Sequence, residues 1–262
     1  MPTSAKIKTR SSKWYGWLPD LPDYRDFFYS AVARRLATLP SKIDMRSKCS
    51  PVEDQGQLGS CTANALVGAL EFLEIKDGAP FVDLSRLFVY YNERVIEGTV
   101  NQDSGAFIRD GIKSLAKLGV CTEAEWPYKI SKFTKKPSTA CYRSAKNHRI
   151  LSYHRISTVD EMRSCLAEGF PFVFGFTVYE AFESAAVAKS GVLNMPGPKE
   201  KVMGGHAVMA VGYDNPAQRF IIRNSWGTDW GQKGYFTMPY DYLSPDKNLA
   251  DDFWTVRILQ QD

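Results

Sequence analysis

Cys61, His206 and Asn224 are the residues of this chain whose types could together do chemistry. Cys61 ends a glycine-containing run, Gln55-Gly56-Gln57-Leu58-Gly59-Ser60-Cys61-Thr62. Directly after it, apolar residues at 65, 66, 69, 70, 72 and 73 recur at the spacing of one helix face. Cys61 therefore sits at a predicted helix N-terminus, where the positive end of the dipole favours a thiolate over a thiol. A thiolate is a nucleophile, and a loop-to-helix corner exposes it. The plainer reading is a small buried hydrophobe, the usual role of an unpaired cysteine. A nucleophile of this kind needs a base, and the base needs a third group to fix its tautomer. Of three histidines, His148 and His154 lie in a polar, basic stretch and read as exposed strand residues. His206 opens the apolar stretch Gly204-Gly205-His206-Ala207-Val208, where a lone histidine is by default structural. Asn224 begins Asn224-Ser225-Trp226-Gly227-Thr228-Asp229-Trp230-Gly231, which alone reads as a turn-rich loop between strands.

Positioning these groups takes helices first and strands later. Besides the helix behind Cys61, Asp83 to Glu97 is amphipathic with Leu84-Ser85 as its entry and Gly98 as its stop. Gly111 to Leu118 reads as a third helix closed by Gly119, and residues 126 to 147 as a long surface loop. From Ile150 onward, strands are expected over 150–156, 170–178, 206–213, 219–223, 234–238 and 253–258, with a short helix over 159–167. Helices followed by strands indicate an α+β protein of two subdomains. The boundaries read as an N-terminal extension over 1–39, a mainly helical part over about 40–147 and a mainly β part over about 148–262.

Composition narrows the function classes. The net charge of +4 is too mild and too evenly spread to argue for nucleic acid. No apolar run approaches the ~18 residues needed to span a membrane, and Met1 to Lys13 has no apolar core of a signal peptide. A cytoplasmic chain, or one exported by another route, is expected. No metal site or cofactor is implied, because the histidines and cysteines lack ligand spacing. The five cysteines imply no particular pairing.

In combination the motifs resemble the papain family of cysteine peptidases, over about Pro40 to the C-terminus. Four blocks carry the resemblance: QGQLGSC, DSGAF, GGHAVMAVGYD and NSWGTDWGQKGY. The cysteine, histidine and asparagine also follow one another in the order of that family. The short N-terminal segment looks like that of bacterial members. The resemblance implies an antiparallel, barrel-like β subdomain facing the helical one across an active-site cleft. It implies that Cys61 attacks a peptide carbonyl and His206 moves the proton. Asn224 would hold the imidazole, and Gln55 with the Cys61 amide would stabilise the oxyanion. It further implies that Trp226 shields the Asn224–His206 bond, and that Gly59, Ser60, Gly105, Phe107 and Gly205 contact substrate. Leu58 replaces a cysteine of the family pattern, and positions 102–104 lack its usual partner, so one common disulfide is absent. Thr62 replaces a tryptophan, and the long helical prosegment is missing from this sequence.

Two other readings share these residues. A catalytically silent binding protein would normally have lost the cysteine, the histidine or the glutamine. A transamidase would use the same thioester with an amine as acceptor. The expected partners are a peptide or protein substrate and, within a monomer, the chain's own N-terminus. The main pocket is expected to take an apolar residue second before the scissile bond, with arginine also admitted if Asp251 or Asp252 reaches its floor. Trp14, Tyr15, Trp17, Leu18, Phe27 and Phe28 have no core of their own, so this segment is expected to pack over the cleft.

Overall fold

The computed structural model describes residues 15–33 and 38–258. Its elements in order are β1 (Trp17–Leu18), β2 (Lys42–Asp44), α1 (Cys61–Lys76), α2 (Arg86–Glu97), β3 (Ala106–Phe107) and α3 (Ile108–Lys117). Then come α4 (Thr139–Ser144), β4 (Ser152–Arg155), α5 (Val159–Ala167), β5 (Phe172–Tyr179) and α6 (Ala185–Ser190). The chain closes with β6 (Val202–Asp214), β7 (Arg219–Arg223), β8 (Tyr235–Pro239) and β9 (Ala250–Arg257).

α1 was expected to show one apolar face, yet every residue from Cys61 to Leu73 is buried. It runs between the other helices and the sheet, packing on α2, α3 and β6. A helix covered on all sides must satisfy its polar residues internally. Thr62 donates to Glu93 (2.9 Å), Asn64 to the Ser60 carbonyl (2.9 Å), and Glu71 accepts from Ser50 (2.6 Å) and the Leu84 amide (3.0 Å). α2 begins where Ser85 caps the Phe88 amide and ends at Gly98 in the left-handed region, as its sequence signals require.

The large sheet is antiparallel, in the order β4-β9-β5-β6-β7-β8, with β2 also paired to β6. β5 is buried on both faces through Phe176, which explains why it is apolar on both faces there. Phe174 stacks on Phe253 (5.7 Å), and Phe176 packs edge-on to Phe182 (5.2 Å) and Tyr242 (5.9 Å).

Several local expectations need correction. The 126–147 segment is not only loop: it contains α4, capped by the Ser138 side chain, and two 3-10 turns. α3 starts at Ile108, three residues before the position expected for it. His148 is half-buried and pairs with Glu74 (2.8 Å), and His154 is half-buried on β4 rather than exposed. By sequence, residues 30–38 could form a short helix before Pro40; residues 34–37 lie outside the described residues, and a 3-10 turn spans Tyr29–Ala31.

Candidate active site

Cys61 is the first residue of α1, and its sulfur sits under β6. The Ala207 amide points at it from 3.4 Å, and the Gly16 amide is a second donor. The thiol is fully enclosed, and burial pushes it up to about 11 despite those donors. The sequence expectation of a thiolate at neutral pH therefore does not describe this covered state.

His206 lies in β6, and Asn224 directly follows the neighbouring strand β7. The register that pairs Met209 with Arg223 brings the two side chains together. His206 Nε2 lies 2.8 Å from Asn224 Oδ1, and the Ser225 amide also donates to that oxygen (2.8 Å). The imidazole lies among Trp226 (5.1 Å between ring centres), Phe176 (5.8 Å) and Phe182 (6.2 Å), so solvent does not reach the pair. The Trp226 ring is tilted 31° to the His206 imidazole and is itself buried.

Gln55 is held from both ends of its amide. Its Oε1 accepts from Ser225 Oγ (2.6 Å), and its Nε2 donates to the Leu58 carbonyl (2.8 Å). Its backbone is pinned by the Ser225 carbonyl (2.9 Å) and by the Tyr128 hydroxyl (2.9 Å). The Ser60 side chain turns away from the groove and meets the same hydroxyl at 2.5 Å. Gly59 donates to Asp103 (3.0 Å), and Gly105 to Tyr90 (3.2 Å), which fixes the two glycine edges of a groove.

That groove is filled by the chain's own residues 15–18. β1 pairs in parallel with β3, setting Trp17 opposite Ala106 and Leu18 opposite Phe107, and the Ala106 amide donates to the Gly16 carbonyl (2.7 Å). Gly16 and Gly105 leave no room for side chains. A Cβ on Gly16 would overlap the Gly59 carbonyl, and one on Gly105, where φ is +74°, would overlap the Gly16 carbonyl. The Trp17 ring lies against Gly175 and Gly205, with 7% of its surface exposed, and its Nε1 donates to Asp252 (3.0 Å). Tyr15 meets the His206 ring edge-on at 5.8 Å and donates to Glu183 (2.9 Å).

The rest of the segment is anchored by charge. Arg109 pairs with Asp26 (2.7 Å), and Arg155 with Asp251 (2.9 Å) and Asp252 (3.0 Å). Asp20 accepts from Trp254 Nε1 (3.1 Å) and the Arg109 amide (3.2 Å), and its own amide donates to Asp252 (2.8 Å). Burial, then the Asp252 charge, pushes Asp20 up to about 7, against the pull of Arg109. Not every aromatic of the segment is covered: Leu18, Phe27 and Phe28 remain 38%, 67% and 47% exposed, and Trp14 lies outside the described residues.

Thus Cys61, His206, Asn224, Gln55, Gly59, Gly105, Gly205 and Trp226 gather around one groove, with Phe107 at its edge beside Leu18. Sequence reasoning missed Gly175, Tyr128 and Arg155. Gly175 interrupts an otherwise apolar strand, a known sign of close approach, so it had a signal. Tyr128 had none, because it lies in a loop far from the glutamine in the chain.

With this geometry in view, comparison with known proteins gives a consistent result. Residues 39–245 match the family described as papain family cysteine protease. An uncharacterised peptidase C1-like protein of Acanthamoeba polyphaga mimivirus is 46% identical over 86% of this chain and 73% of its own length. Thiol protease aleurain of Arabidopsis thaliana is 31% identical over 77% of this chain and 56% of its own. Among solved structures, xylellain, a cysteine protease from Xylella fastidiosa, is 45% identical and superposes with a TM-score of 0.89 over 98% of this chain and 100% of its own. The chain belongs to the papain family of cysteine proteases and is a thiol hydrolase of the papain-like α+β fold.

Proposed function

We propose that this protease cleaves peptide bonds through Cys61, His206, Asn224 and Gln55, and that residues 1–39 are a short regulatory segment on a peptidase domain of residues 40–262. The observation that supports the site most directly is the 2.8 Å His206–Asn224 bond beside the sulfur on the first residue of α1. With Nε2 bonded to Asn224, proton exchange with the sulfur falls to Nδ1. The Cys61 thiolate attacks the carbonyl carbon, and the oxyanion is received by the Cys61 amide and the second N–H of the Gln55 side chain. The imidazolium gives its proton to the departing amine, leaving a thioester. His206 then takes a proton from water as it attacks, and the acid is released with the thiol restored. Donors of the Gln55 kind are each worth ~10²-fold or more in rate.

Residues 15–18 act in this scheme as an intramolecular inhibitor. Gly16 offers its amide to the sulfur, and its carbonyl oxygen is held by Ala106. Tethering gives a local concentration of roughly mM, so a modest fit suffices to keep substrate out. When the segment leaves, water reaches Cys61 and the desolvation that raises its pKa falls away. Trp17 marks the pocket that takes the residue second before the scissile bond, with Gly205 as its wall and Phe107 near its rim. Asp252 at the far end of the ring makes arginine acceptable beside leucine and phenylalanine.

The test is hydrolysis of fluorogenic peptides carrying leucine, phenylalanine, arginine or glutamate at that position. It compares the full chain, a chain lacking residues 1–18, and each with Cys61→Ala. Turnover is expected to rise on truncation and vanish in the alanine variants. Activity that survives Cys61→Ala would sink the site assignment. Unchanged turnover after truncation would sink the inhibitor, and a clear preference for glutamate the pocket.

A further inference from the structure

The two glycine edges of the groove are joined by one pair of side chains. The Gly59 amide donates to both carboxylate oxygens of Asp103, at 3.0 and 3.2 Å. The Tyr90 hydroxyl donates to the nearer of those oxygens (2.5 Å) and accepts from the Gly105 amide (3.2 Å). A continuous run of hydrogen bonds therefore passes from Gly59 through Asp103 and Tyr90 to Gly105. The carboxylate makes its bonds charge-assisted, which is the stronger class. Burial, and after it the Asp103 carboxylate, hold the Tyr90 hydroxyl well above its ordinary pKa, so it stays a donor.

The groups behind this pair are fixed. Tyr90 is a fully buried residue of α2, and the guanidinium of Arg94, one turn on, lies 4.1 Å from the centre of its ring. Arg94 is fully buried too, and it donates to the carbonyls of Tyr90 (3.1 Å), Val100 (2.7 Å), Gln102 (3.1 Å) and Phe133 (2.5 Å). Ser104 closes the same turn by donating to Thr99 (2.9 Å). The turn that carries Asp103 is thus tied to α2, by Arg94 at 100 and 102 and by Tyr90 at 103 and 105.

The chain's own Gly16 crosses between the two edges, close enough to each that a Cβ on Gly16 would overlap the Gly59 carbonyl and one on Gly105 the Gly16 carbonyl. The span of the Asp103–Tyr90 pair therefore sets the groove width at this crossing. Gly59 stands two residues before Cys61, so the same span sets how an extended backbone lies relative to the sulfur. The family pattern has a disulfide in this place. Here position 58 is leucine and residues 102–104 hold no cysteine, yet Asp103 reaches Gly59 from that same turn.

We infer that Asp103 and Tyr90 are positioning residues, a non-covalent clamp that stands in for the absent disulfide and holds the Gly59 and Gly105 edges at the width of an extended peptide. The inference rests on the assignment of this groove to peptide substrate. The clamp acts through the backbone of the two glycines and touches neither the sulfur nor the imidazole. Because no sulfur takes part in it, a thiol reductant leaves it intact.

Two measurements test it, and the first needs no activity. Amide hydrogen exchange of the full chain is followed by NMR at Gly59 and Gly105. Asp103→Ala and Tyr90→Phe should each speed exchange at both glycines by ~10-fold or more, the scale of losing one charge-assisted bond. Each variant removes the direct partner of only one glycine, so an effect at both reports the connected clamp. Asp103→Asn should stay within about threefold of the parent, since a single amide oxygen can accept from both Gly59 and Tyr90. Faster exchange only at the glycine that lost its own partner would overturn the inference, as would unchanged exchange at both or equal effects of the alanine and asparagine variants.

The second measurement is kinetics with a fluorogenic peptide, in a full chain carrying Gly16→Val so that the groove is open. Asp103→Ala should raise KM ~10-fold and change kcat by no more than about twofold, because the groove edges grip the ground state and the transition state alike. Tyr90→Phe should show the same split, and the two together should cost little more than either alone, as members of one network do. Asp103→Asn should keep KM near the parent value. A fall in kcat with KM unchanged, or losses that simply add, would overturn the clamp. A chain that is silent even with Gly16→Val would count against the assignment of the groove, and the exchange pattern would then decide the clamp by itself.

Discussion

At the residue scale, the state of Cys61 depends on what covers it. A helix N-terminus and a neighbouring imidazole favour a thiolate, but enclosure favours the neutral thiol, and in the covered site enclosure is the largest influence. The thiol stands at about 11, so at neutral pH it is almost all protonated. Alkylation of the full chain by iodoacetamide is therefore expected to be slow at pH 7 and to rise with pH toward that value. The chain lacking residues 1–18 is expected to react readily at pH 7, because the amide and ring that exclude water are gone. Mass spectrometry of the Cys61 peptide over pH 5–10 reads both. Equal rates at pH 7 would mean that the segment does not control the thiol.

At the scale of elements, β1 is a very small strand that depends on close approach. Gly16 touches Gly59 and Gly105 through backbone atoms alone, so no side chain can be added without moving the strand. Gly16→Val is expected to eject it and raise full-chain turnover at least ~10-fold, with a lower melting temperature because the buried Trp17 ring is exposed. A variant with turnover like that of the parent would show that the strand does not block substrate. Acidity should act on the same contact. Asp20 faces Asp252, Arg109, Arg155 and Trp254, with Asp26 and Asp251 on the same two arginines. Its pKa is raised from 3.8 to about 7 in the closed form. The closed form thus holds a proton that the open form has released, and closure weakens as pH rises from about 4 to about 7. The ratio of full-chain to truncated turnover is expected to climb across that window and level off above it, and Asp20→Asn should flatten the climb. A ratio that falls with pH would contradict the assignment.

At the scale of the whole molecule, the N-terminal segment has two parts with different attachments. Residues 15–18 sit in the groove, whereas Asp20 to Tyr29 bind α3, β4, β9 and the end of α5 through buried groups. Tyr29 is fully buried and donates to Glu168 (2.7 Å), the Phe27 carbonyl accepts from the Arg155 amide (2.7 Å), and Asp26 holds Arg109. Removing residues 1–18 takes away the buried Trp17 ring, which costs about 3–5 kcal/mol. Removing residues 1–39 also takes away a buried aromatic, which costs about 3–5 kcal/mol, and leaves Arg109 without its carboxylate. That shorter chain is expected to melt roughly 6 °C or more below the other, given about 2–4 °C per kcal/mol at this size. Calorimetry of the two truncations side by side checks it, and equal melting temperatures would mean that the anchor contributes nothing.

How much of this was legible in the sequence follows from the range of the interactions. The nucleophile at a helix start, the apolar strand that carries His206 and the Asn224 turn all have local signals: apolar period, glycine placement and residue type. Their order along the chain matched one family, and the fold class followed from helices giving way to strands. α4 was read as loop because six residues behind a serine cap show too little period to separate them from a turn. Thr62 and Glu93 are 31 residues apart, and no spacing joins them. Trp17 could be known to need a partner, but whether it would meet Gly175, Gly205 and Asp252 depended on the register of β5, β6 and β9. Tyr128 against Gln55 is likewise a product of how α1, α2 and the segment after α3 pack. Local propensity determines which element forms; only the packed chain decides which side chains of distant elements share a cavity, because that depends on shape and burial across the whole core.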